Sequence, residues 1–215
     1  MPLTEPLAER WPLPEAHDVR DALLAAYADP ARSYHDTRHL GEVLDRLDEL
    51  AAHGTGYDRT TVLLAAWFHD GVYDGERDAE DRSAVWAERA LAGMLSAEVV
   101  AEVARLVRLT ETHQPLDEDA GGCALSDADL AILAAGPERY AEYVAAVRRE
   151  YAHLADDVFA AGRAQVLQGL ADKPHLFHMR WARGQWEGTA RANLKRELAQ
   201  LSGGVRGSCG DAGPR

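Results

Sequence analysis

Apolar residues recur at helical spacing along most of the chain. Leu40, Val43, Leu44, Leu47 and Leu50 fall three or four positions apart, which is the spacing of one buried helix face. The same pattern predicts helices over residues 15–28, 37–52, 59–69, 79–92 and 97–112, and two or three long amphipathic helices after residue 137, broken near 155–156 and 173–174.

The segments between these stretches contain the usual signals for helix starts and stops. Asp58 and Ser96 are expected N-caps of the third and fifth helices. Residues 114–123 contain Pro and Gly-Gly and predict a loop, after which Ser126 or Asp127 would cap a sixth helix. The third helix is apolar nearly all round from Val62 to Phe68, so we expect it in the centre of the core.

Composition favours an all-α fold in a single domain. Runs of β-branched residues are scarce in the 215-residue chain. We expect an irregular, Pro-rich N-terminal segment over 1–14, one helical domain over 15–201 and a disordered, Gly-rich tail over 202–215.

The charge and the cysteine count narrow the classes of partner. A net charge of −13, with Arg residues interspersed among acidic ones, disfavours a nucleic-acid polymer as partner. No apolar run is long enough for a membrane span, and the N-terminus lacks the pattern of a secretory signal. Only Cys123 and Cys209 occur, so no disulfide framework is expected and the prediction is a cytoplasmic protein without a membrane partner.

The candidate functional residues lie at or near the ends of the predicted helices. Of three His-Asp pairs, His69-Asp70 terminates the most apolar helix, where polar groups need partners. Judged from this position alone, the partner is equally well a metal ion or a hydrogen-bond network. His39 opens the preceding helix, and His35 would share its face if that helix already included residue 35.

These groups match the ligands of a divalent cation of the Mn, Fe, Co, Ni or Zn type, which accepts neutral imidazole and carboxylate together. His39, His69 and Asp70 would supply three ligands, and a later carboxylate the fourth. Asp127 and Asp129 compete for that place, although Asp127 is also explained as a helix cap.

The order His39, His69-Asp70, Asp129 resembles the signature of the HD superfamily of helical, metal-dependent phosphohydrolases. Further stretches are similar to a family of predicted HD-type phosphohydrolases known mainly from bacterial genomes, over about residues 15–201. These stretches are Arg32-x-Tyr34-His35-x-x-x-His39, Phe68-His69-Asp70-x-x-Tyr73-Asp74, Arg82-Ser83-Ala84, Thr110-x-x-His113, Asp127-x-Asp129-Leu130-x-Ile132-Leu133, Arg149-Glu150-Tyr151, Gly162-Arg163 and Ala190-Arg191-x-Asn193-Leu194-x-x-Glu197-Leu198. Residues 79–81 depart from the expected Asn-Glu before Arg-Ser-Ala, which leaves the equivalence of Glu80 open.

The resemblance implies an HD-domain-like helical bundle that binds a divalent cation, with Mn, Fe, Co, Ni, Zn and Mg not distinguished. It implies His39, His69, Asp70 and Asp129 as metal ligands, with His35 and His113 available for a second ion. Asp70, His113 and Glu80 are the expected catalytic residues, with Asp74 as an alternative to Glu80 for orienting the water. Substrate contacts are assigned to Arg32, His35, Arg82 and Tyr73, with Arg38 and Tyr34 as further candidates.

The late motifs are interpreted as mainly structural, because Arg and Glu at helical spacing usually form ion pairs between packed helices. Arg163 or Arg191 would reach the site only from its far side.

The expected function is hydrolysis of a small phosphorylated substrate, with a nucleotide as one candidate, by a monomer or homodimer. One alternative is a non-catalytic metal- or ligand-binding module of the same fold. Another is a helical interaction protein whose histidines are structural.

Overall fold

The prediction of an all-α protein is confirmed. A computed structural model describes residues 7–54, 56–76 and 78–207, with the backbone alone described for 204–207. Within these ranges the chain forms helices and no strand, and none of the helices is both long and apolar enough to span a bilayer. The helices are α1 (His17–Tyr27), α2 (Thr37–Ala52), α3 (Arg59–Phe68), α4 (Ala79–Leu91), α5 (Ala97–Leu109), α6 (Ala120–Leu130), α7 (Pro137–Glu150), α8 (Asp156–Ala171) and α9 (Arg180–Gly207), with 3-10 helices at Leu7–Arg10 and Ala131–Ala134.

Side-chain caps set the starts of the helices that carry the candidate site. The predicted caps are confirmed: Asp58 accepts a hydrogen bond from the Thr61 N–H, and Ser96 accepts one from that of Val99. Asp36 caps α2, which therefore begins at Thr37. His35 lies outside this helix, so the condition for placing it on the face of His39 is not met.

The sixth helix begins earlier than expected. Asp119 caps α6 by accepting a hydrogen bond from the Gly122 N–H. The Gly-Gly pair that predicted a loop lies inside the first turn, where a Cβ on Gly122 would come within 2.7 Å of Leu109 Cδ2. These glycines allow close packing of a helix start, and neither Ser126 nor Asp127 is an N-cap.

The core surrounds α3, as its apolar sequence predicts. Residues 61–68 of this helix are all buried, and α3 packs against α2, α4, α5 and α6. α2 also packs against α6. The C-terminal end of α3 therefore lies beside helices that come from distant parts of the sequence.

The two ends of the described chain are more ordered than expected. Trp11, in the segment predicted to be irregular, is buried, with its ring 5.1 Å from that of Trp67 in a T-shaped arrangement. α9 continues to Gly207, so residues 202–207 of the predicted disordered tail are helical. The remainder of the N-terminal segment, 1–6, and of the tail, 208–215, lies outside the described residues.

Candidate metal centre

Three helices bring two histidines and two carboxylates together. His39 lies in the first turn of α2, His69 directly follows α3 and precedes Asp70, and Asp129 lies in the last turn of α6. Both histidines are buried, and the Asp70 and Asp129 side chains are largely so. Because α3 packs against α2 and α6, side chains that are 30 to 90 positions apart share one small volume.

The ligand atoms have the separations expected around one cation. His39 Nε2 lies 3.2 Å from His69 Nε2, and Asp70 Oδ2 lies 3.1 Å from His69 Nε2 and 3.3 Å from His39 Nε2. Asp129 Oδ1 lies 3.2 Å from His39 Nε2 and 3.8 Å from His69 Nε2. Ligands about 2.1 Å from a shared ion lie about 3.0–3.4 Å apart in octahedral or tetrahedral geometry. His39, His69 and Asp70 can therefore hold a metal ion, and Asp129 Oδ1 lies beside the two imidazoles.

A backbone carbonyl sets the tautomer of His69. Its Nδ1 lies 2.7 Å from the carbonyl oxygen of Ala66, which can only accept a hydrogen bond. Nδ1 therefore carries a proton and donates it, and in a neutral ring the lone pair of Nε2 is directed at the cluster. Metal-binding histidines commonly have this arrangement.

Asp70 supplies the strongest sign that the cluster fits a cation. Its Oδ2 atom is buried and makes no hydrogen bond to any described residue, although two imidazole nitrogens lie within 3.3 Å. Buried carboxylate oxygens are rarely left unpaired. The oxygen and the two nitrogens converge on a shared point, as the ligands of one metal ion do.

The close contact of imidazoles and carboxylates in the cluster raises the pKa values of the histidines and lowers that of Asp70. Burial alone would lower the pKa of His39, but the neighbouring carboxylates of Asp129 and Asp70 outweigh this effect and raise the pKa to about 10. The pKa of His69 is raised as well, mainly by the charge of Asp70 against the effect of burial. Burial opposes ionisation of Asp70, yet the adjacent imidazoles of His69 and His35 hold its pKa well below the usual value. A cation at this position would replace the imidazole protons as the partner of the carboxylates.

Asp127 does not compete for the fourth ligand position. It is fully buried in α6 and accepts hydrogen bonds of 2.7 Å from the backbone N–H groups of His178 and Met179. These groups directly precede α9, so Asp127 fixes the start of that helix from a distant position in the sequence. Of the two candidate carboxylates, only Asp129 faces the histidines.

A cleft of about 450 Å³ opens above the cluster, lined by Asp70 and Asp129. Several residues predicted for substrate binding or catalysis lie along it, namely His35, Tyr73, Glu80 and His113. The imidazole of His35 stacks on the Tyr73 ring at 3.9 Å, and its Nδ1 lies 2.8 Å from Oε2 of Glu150. His35 therefore forms part of the wall, fixed by a carboxylate and an aromatic ring.

Glu80 lies in the first turn of α4 and reaches the cleft. Burial raises its pKa, and the negative charge of Asp70 raises it further. A carboxylate whose pKa is shifted toward neutrality accepts a proton more readily than an exposed one. Asp74, the alternative to Glu80, instead forms a two-point hydrogen-bonded pair with Arg82 on the surface.

His113 adopts a left-handed backbone conformation, with φ of 49°, just beyond α5. Non-glycine residues in this region are strained and are often found at functional sites. Its Nε2 lies 3.6 Å from Asp129 Oδ2, and its Nδ1 lies 3.3 Å from the Ser126 hydroxyl. Burial lowers the pKa of His113 more than Asp129 raises it, so the ring is held neutral.

The structure does not bring the predicted phosphate-binding arginines into the cleft. The Arg32 guanidinium donates to the backbone carbonyls of His35, Asp70 and Gly71, and so holds the chain around the metal cluster. Arg82 pairs with Asp74, and Arg38 pairs with acidic residues on an exposed surface. Arginine side chains are long, so the partner nearest in space, rather than sequence position, decides where each one points.

The cations that line the cleft come instead from the C-terminal half of the chain. Arg163 of α8 and Lys173 both lie along it. Glu197 and the Tyr143 hydroxyl hold the Arg163 guanidinium through Nε and Nη2, and Lys173 donates to the carbonyls of Thr112 and His113. The motif Gly162-Arg163 had drawn attention to Arg163 in the sequence, whereas nothing in the sequence singled out Lys173.

Two further long-range contacts were missed by sequence reasoning. Glu150, which belongs to the motif at 149–151, binds the backbone before α2, and Asp127 binds the backbone before α9. Arg191 pairs with Glu187 and with carbonyls at 171–174, in agreement with a structural interpretation.

Comparisons with family models, curated proteins and solved structures found no match to this chain. The resemblance to the HD superfamily therefore remains a prediction from the motifs. The geometry of the cluster and its cleft is independent of that resemblance.

Proposed function

We propose that this protein is a metal-dependent phosphohydrolase of the HD type, acting on a small phosphorylated substrate. One observation carries the proposal: two imidazoles and two carboxylates converge beside a cleft, and a buried oxygen of Asp70 makes no hydrogen bond within the described part of the chain. Four protein ligands leave coordination positions for a water molecule and a phosphate oxygen.

His39, His69, Asp70 and Asp129 would hold the cation. When bound, a divalent ion of this kind lowers the pKa of a coordinated water and neutralises charge on a phosphoryl oxygen. The mixed nitrogen and oxygen ligand set suits several first-row metals, of which Mn is the practical choice for reconstitution.

Arg163 and Lys173 are the side chains best placed to bind the anionic phosphate. Nε and Nη2 of Arg163 donate hydrogen bonds to Glu197 and Tyr143, whereas Nη1 makes no hydrogen bond to a described residue. An ammonium group has three N–H donors, and two of those of Lys173 are used by backbone carbonyls. Each residue thus retains a donor beside the cleft while its position is fixed by the rest of the fold.

Glu80 would act as a base, and His113 would bind the phosphate. The raised pKa of Glu80 suits it to accept a proton from an attacking water. The neutral His113 ring suits hydrogen bonding to a phosphate oxygen better than donation of a proton to the leaving group. Both side chains line the same cleft as Asp70 and Asp129.

The proposal is tested by metal content and by activity together. Protein purified without a metal-binding tag should contain about one equivalent of metal after exposure to Mn, and the Asp70→Ala variant should contain little. Asp74→Ala is the matched control, because this carboxylate lies four residues away and pairs with Arg82 on the surface. Phosphomonoester hydrolysis should depend on the metal and stop on chelation.

Two results would count against this function. Absence of metal in the parent after exposure to Mn would favour a structural role for the histidines. Stoichiometric metal without hydrolysis of any phosphate ester would favour a non-catalytic binding module.

A further inference from the structure

The cleft continues beyond the stacked pair of His35 and Tyr73 into a second compartment of about 440 Å³. We call it the apolar compartment and the first one the metal compartment. Six residues line both compartments, which makes them parts of one continuous cleft. The shared residues are His35, Tyr73, Glu80, Tyr143, Arg163 and Val166.

Charge is divided unevenly between the two compartments. The residues that line only the apolar compartment carry no charge; they come from α7, α8 and the segment between them. They are Val147, Tyr151, Leu154, Val158, Phe159 and Gly162. The charged groups of its wall, Glu80, Arg163 and the ionisable His35, all lie on the border with the metal compartment.

The wall formed by α8 exposes apolar surface that the protein itself does not cover. Val158 is 55% and Val166 58% exposed, which places them among the few large hydrophobic side chains so exposed in the described chain. Both line the cleft, and between them Gly162 has open space where a Cβ would be. Together with the other apolar residues that line this part of the cleft, the two valines form a surface that a ligand can cover.

We propose that the apolar compartment binds an alkyl or aryl group of the substrate. The inference rests on the proposed function: the phosphate would lie by the metal ligands and Arg163, and the apolar group would lie along α8. Substrates of this class are amphipathic phosphate esters, unlike sugar phosphates, which are polar throughout. Continuity of the two compartments is the reason for assigning the apolar surface to the same small molecule rather than to a second protein.

Binding of n-alkylphosphonates separates this inference from catalysis, because phosphonates are not hydrolysed. Calorimetry with Mn-loaded protein should show that affinity increases about threefold to fourfold per methylene from ethyl- to butyl- to hexylphosphonate. The Val158→Glu variant should lose most of this dependence on chain length. Leu116→Glu should keep it, because Leu116 is 68% exposed and lines neither compartment.

A second variant fills the space directly. Gly162→Leu should weaken hexylphosphonate about tenfold and leave ethylphosphonate unchanged, since only the longer chain reaches α8. Affinities that do not depend on chain length in the parent, or absence of phosphonate binding, would overturn the inference.

The remaining outcomes distinguish the two proposals. Chain-length-dependent binding without hydrolysis of the matching alkyl phosphates would support binding in the apolar compartment and contradict the phosphohydrolase function. Equal kcat/KM for ethyl and hexyl phosphate would support the phosphohydrolase function and contradict the binding of an apolar group in the second compartment. If Val158→Glu alters the oligomeric state and not phosphonate affinity, the α8 surface is a contact between copies of the chain, and the inference fails.

Discussion

Glu150 fixes the position of His35, from which it is separated by 115 residues. One carboxylate oxygen of Glu150 accepts hydrogen bonds of 2.7–3.0 Å from the backbone N–H groups of Ser33, Tyr34 and His35. The other oxygen lies 2.8 Å from Nδ1 of His35. The end of α7 thereby determines the turn that leads into α2, the helix that carries His39.

Removal of this carboxylate should destabilise the fold. Glu150→Ala leaves three backbone N–H groups without their acceptor, and we expect the free energy of unfolding to fall by about 2–4 kcal/mol. Glu138→Ala, on the exposed face at the start of α7, should change it by less than about 0.5 kcal/mol. Urea denaturation measures both; equal effects would show that the Glu150 contacts contribute little.

The same carboxylate should make stability depend on acidic pH. Burial opposes its ionisation, but the hydrogen bond with the His35 side chain and those from the backbone N–H groups of Tyr34 and His35 lower the pKa of Glu150 from an ordinary 4.5 to about 2. A lowered folded-state pKa gives stability that is present above the unfolded pKa and is lost as pH falls toward 2. The contribution amounts to about 3 kcal/mol.

The measurement compares the parent with Glu150→Gln in urea at about pH 6 and about pH 3. The stability difference between the two should shrink at the lower pH, where the carboxyl begins to take up a proton. A difference that stays constant across this range would contradict the assigned pKa shift.

Asp127 and Asp129 should separate cleanly into a structural and a ligand role. Asp129→Asn should weaken Mn binding by about 10–100-fold, because a neutral amide replaces a charged ligand. Asp127→Asn should keep Mn affinity and lower the free energy of unfolding by about 1–3 kcal/mol, because an amide cannot accept both backbone bonds from His178 and Met179. Loss of metal in Asp127→Asn with retention in Asp129→Asn would reverse the assignment.

Metal affinity should rise with pH. The pKa of His39 is raised to about 10, so this imidazole carries a proton at neutral pH that a cation must displace. Release of one proton increases the apparent affinity about tenfold per pH unit until the pH passes the raised pKa.

A competing chelator dye at several pH values measures this slope. Calorimetry in two buffers of different ionisation enthalpy counts the released protons independently. Mn binding that releases no proton at pH 7 would show that His39 is already neutral or is not a ligand.

Arg163 should contribute more than Arg82 to substrate binding. Arg163→Lys keeps a positive charge beside buried Glu197 but loses the fixed guanidinium, so KM for a phosphomonoester should rise about tenfold with a smaller change in kcat. Arg82→Lys should leave KM within about twofold, since Arg82 pairs with Asp74 outside the cleft. A larger KM effect from Arg82→Lys would restore the arginine assignment expected from the motifs.

The local part of the structure followed from the sequence because local interactions decide it. The spacing of Leu40, Val43 and Leu44 predicted the buried face of α2, and Asp58 and Ser96 predicted two helix starts through hydrogen bonds that span three residues. The start of the sixth helix was predicted wrongly because Gly121-Gly122 usually marks a loop. Only the proximity of Leu109 in three dimensions explains why a helix needs glycine there.

The candidate ligands were also accessible from the sequence, since polar residues that end an apolar helix must have partners. His69 and Asp70 were singled out on that ground, and His39 because it opens the preceding helix. The structure brings the three within reach of one ion. The choice between Asp127 and Asp129 was not accessible, because it depends on which side of α6 faces α2 and which faces the start of α9.

The sequence by itself determined the all-α class, most helix boundaries and the side chains able to bind a metal, because helix periodicity, capping and ligand chemistry act over a few residues. Tertiary structure alone decided the direction of each long charged side chain. Arg32 turned to backbone carbonyls, Arg163 reached the cleft, and Glu150 bound a turn 115 residues away. Such pairings depend on which helices pack together, and the burial of apolar faces in the whole chain sets that arrangement.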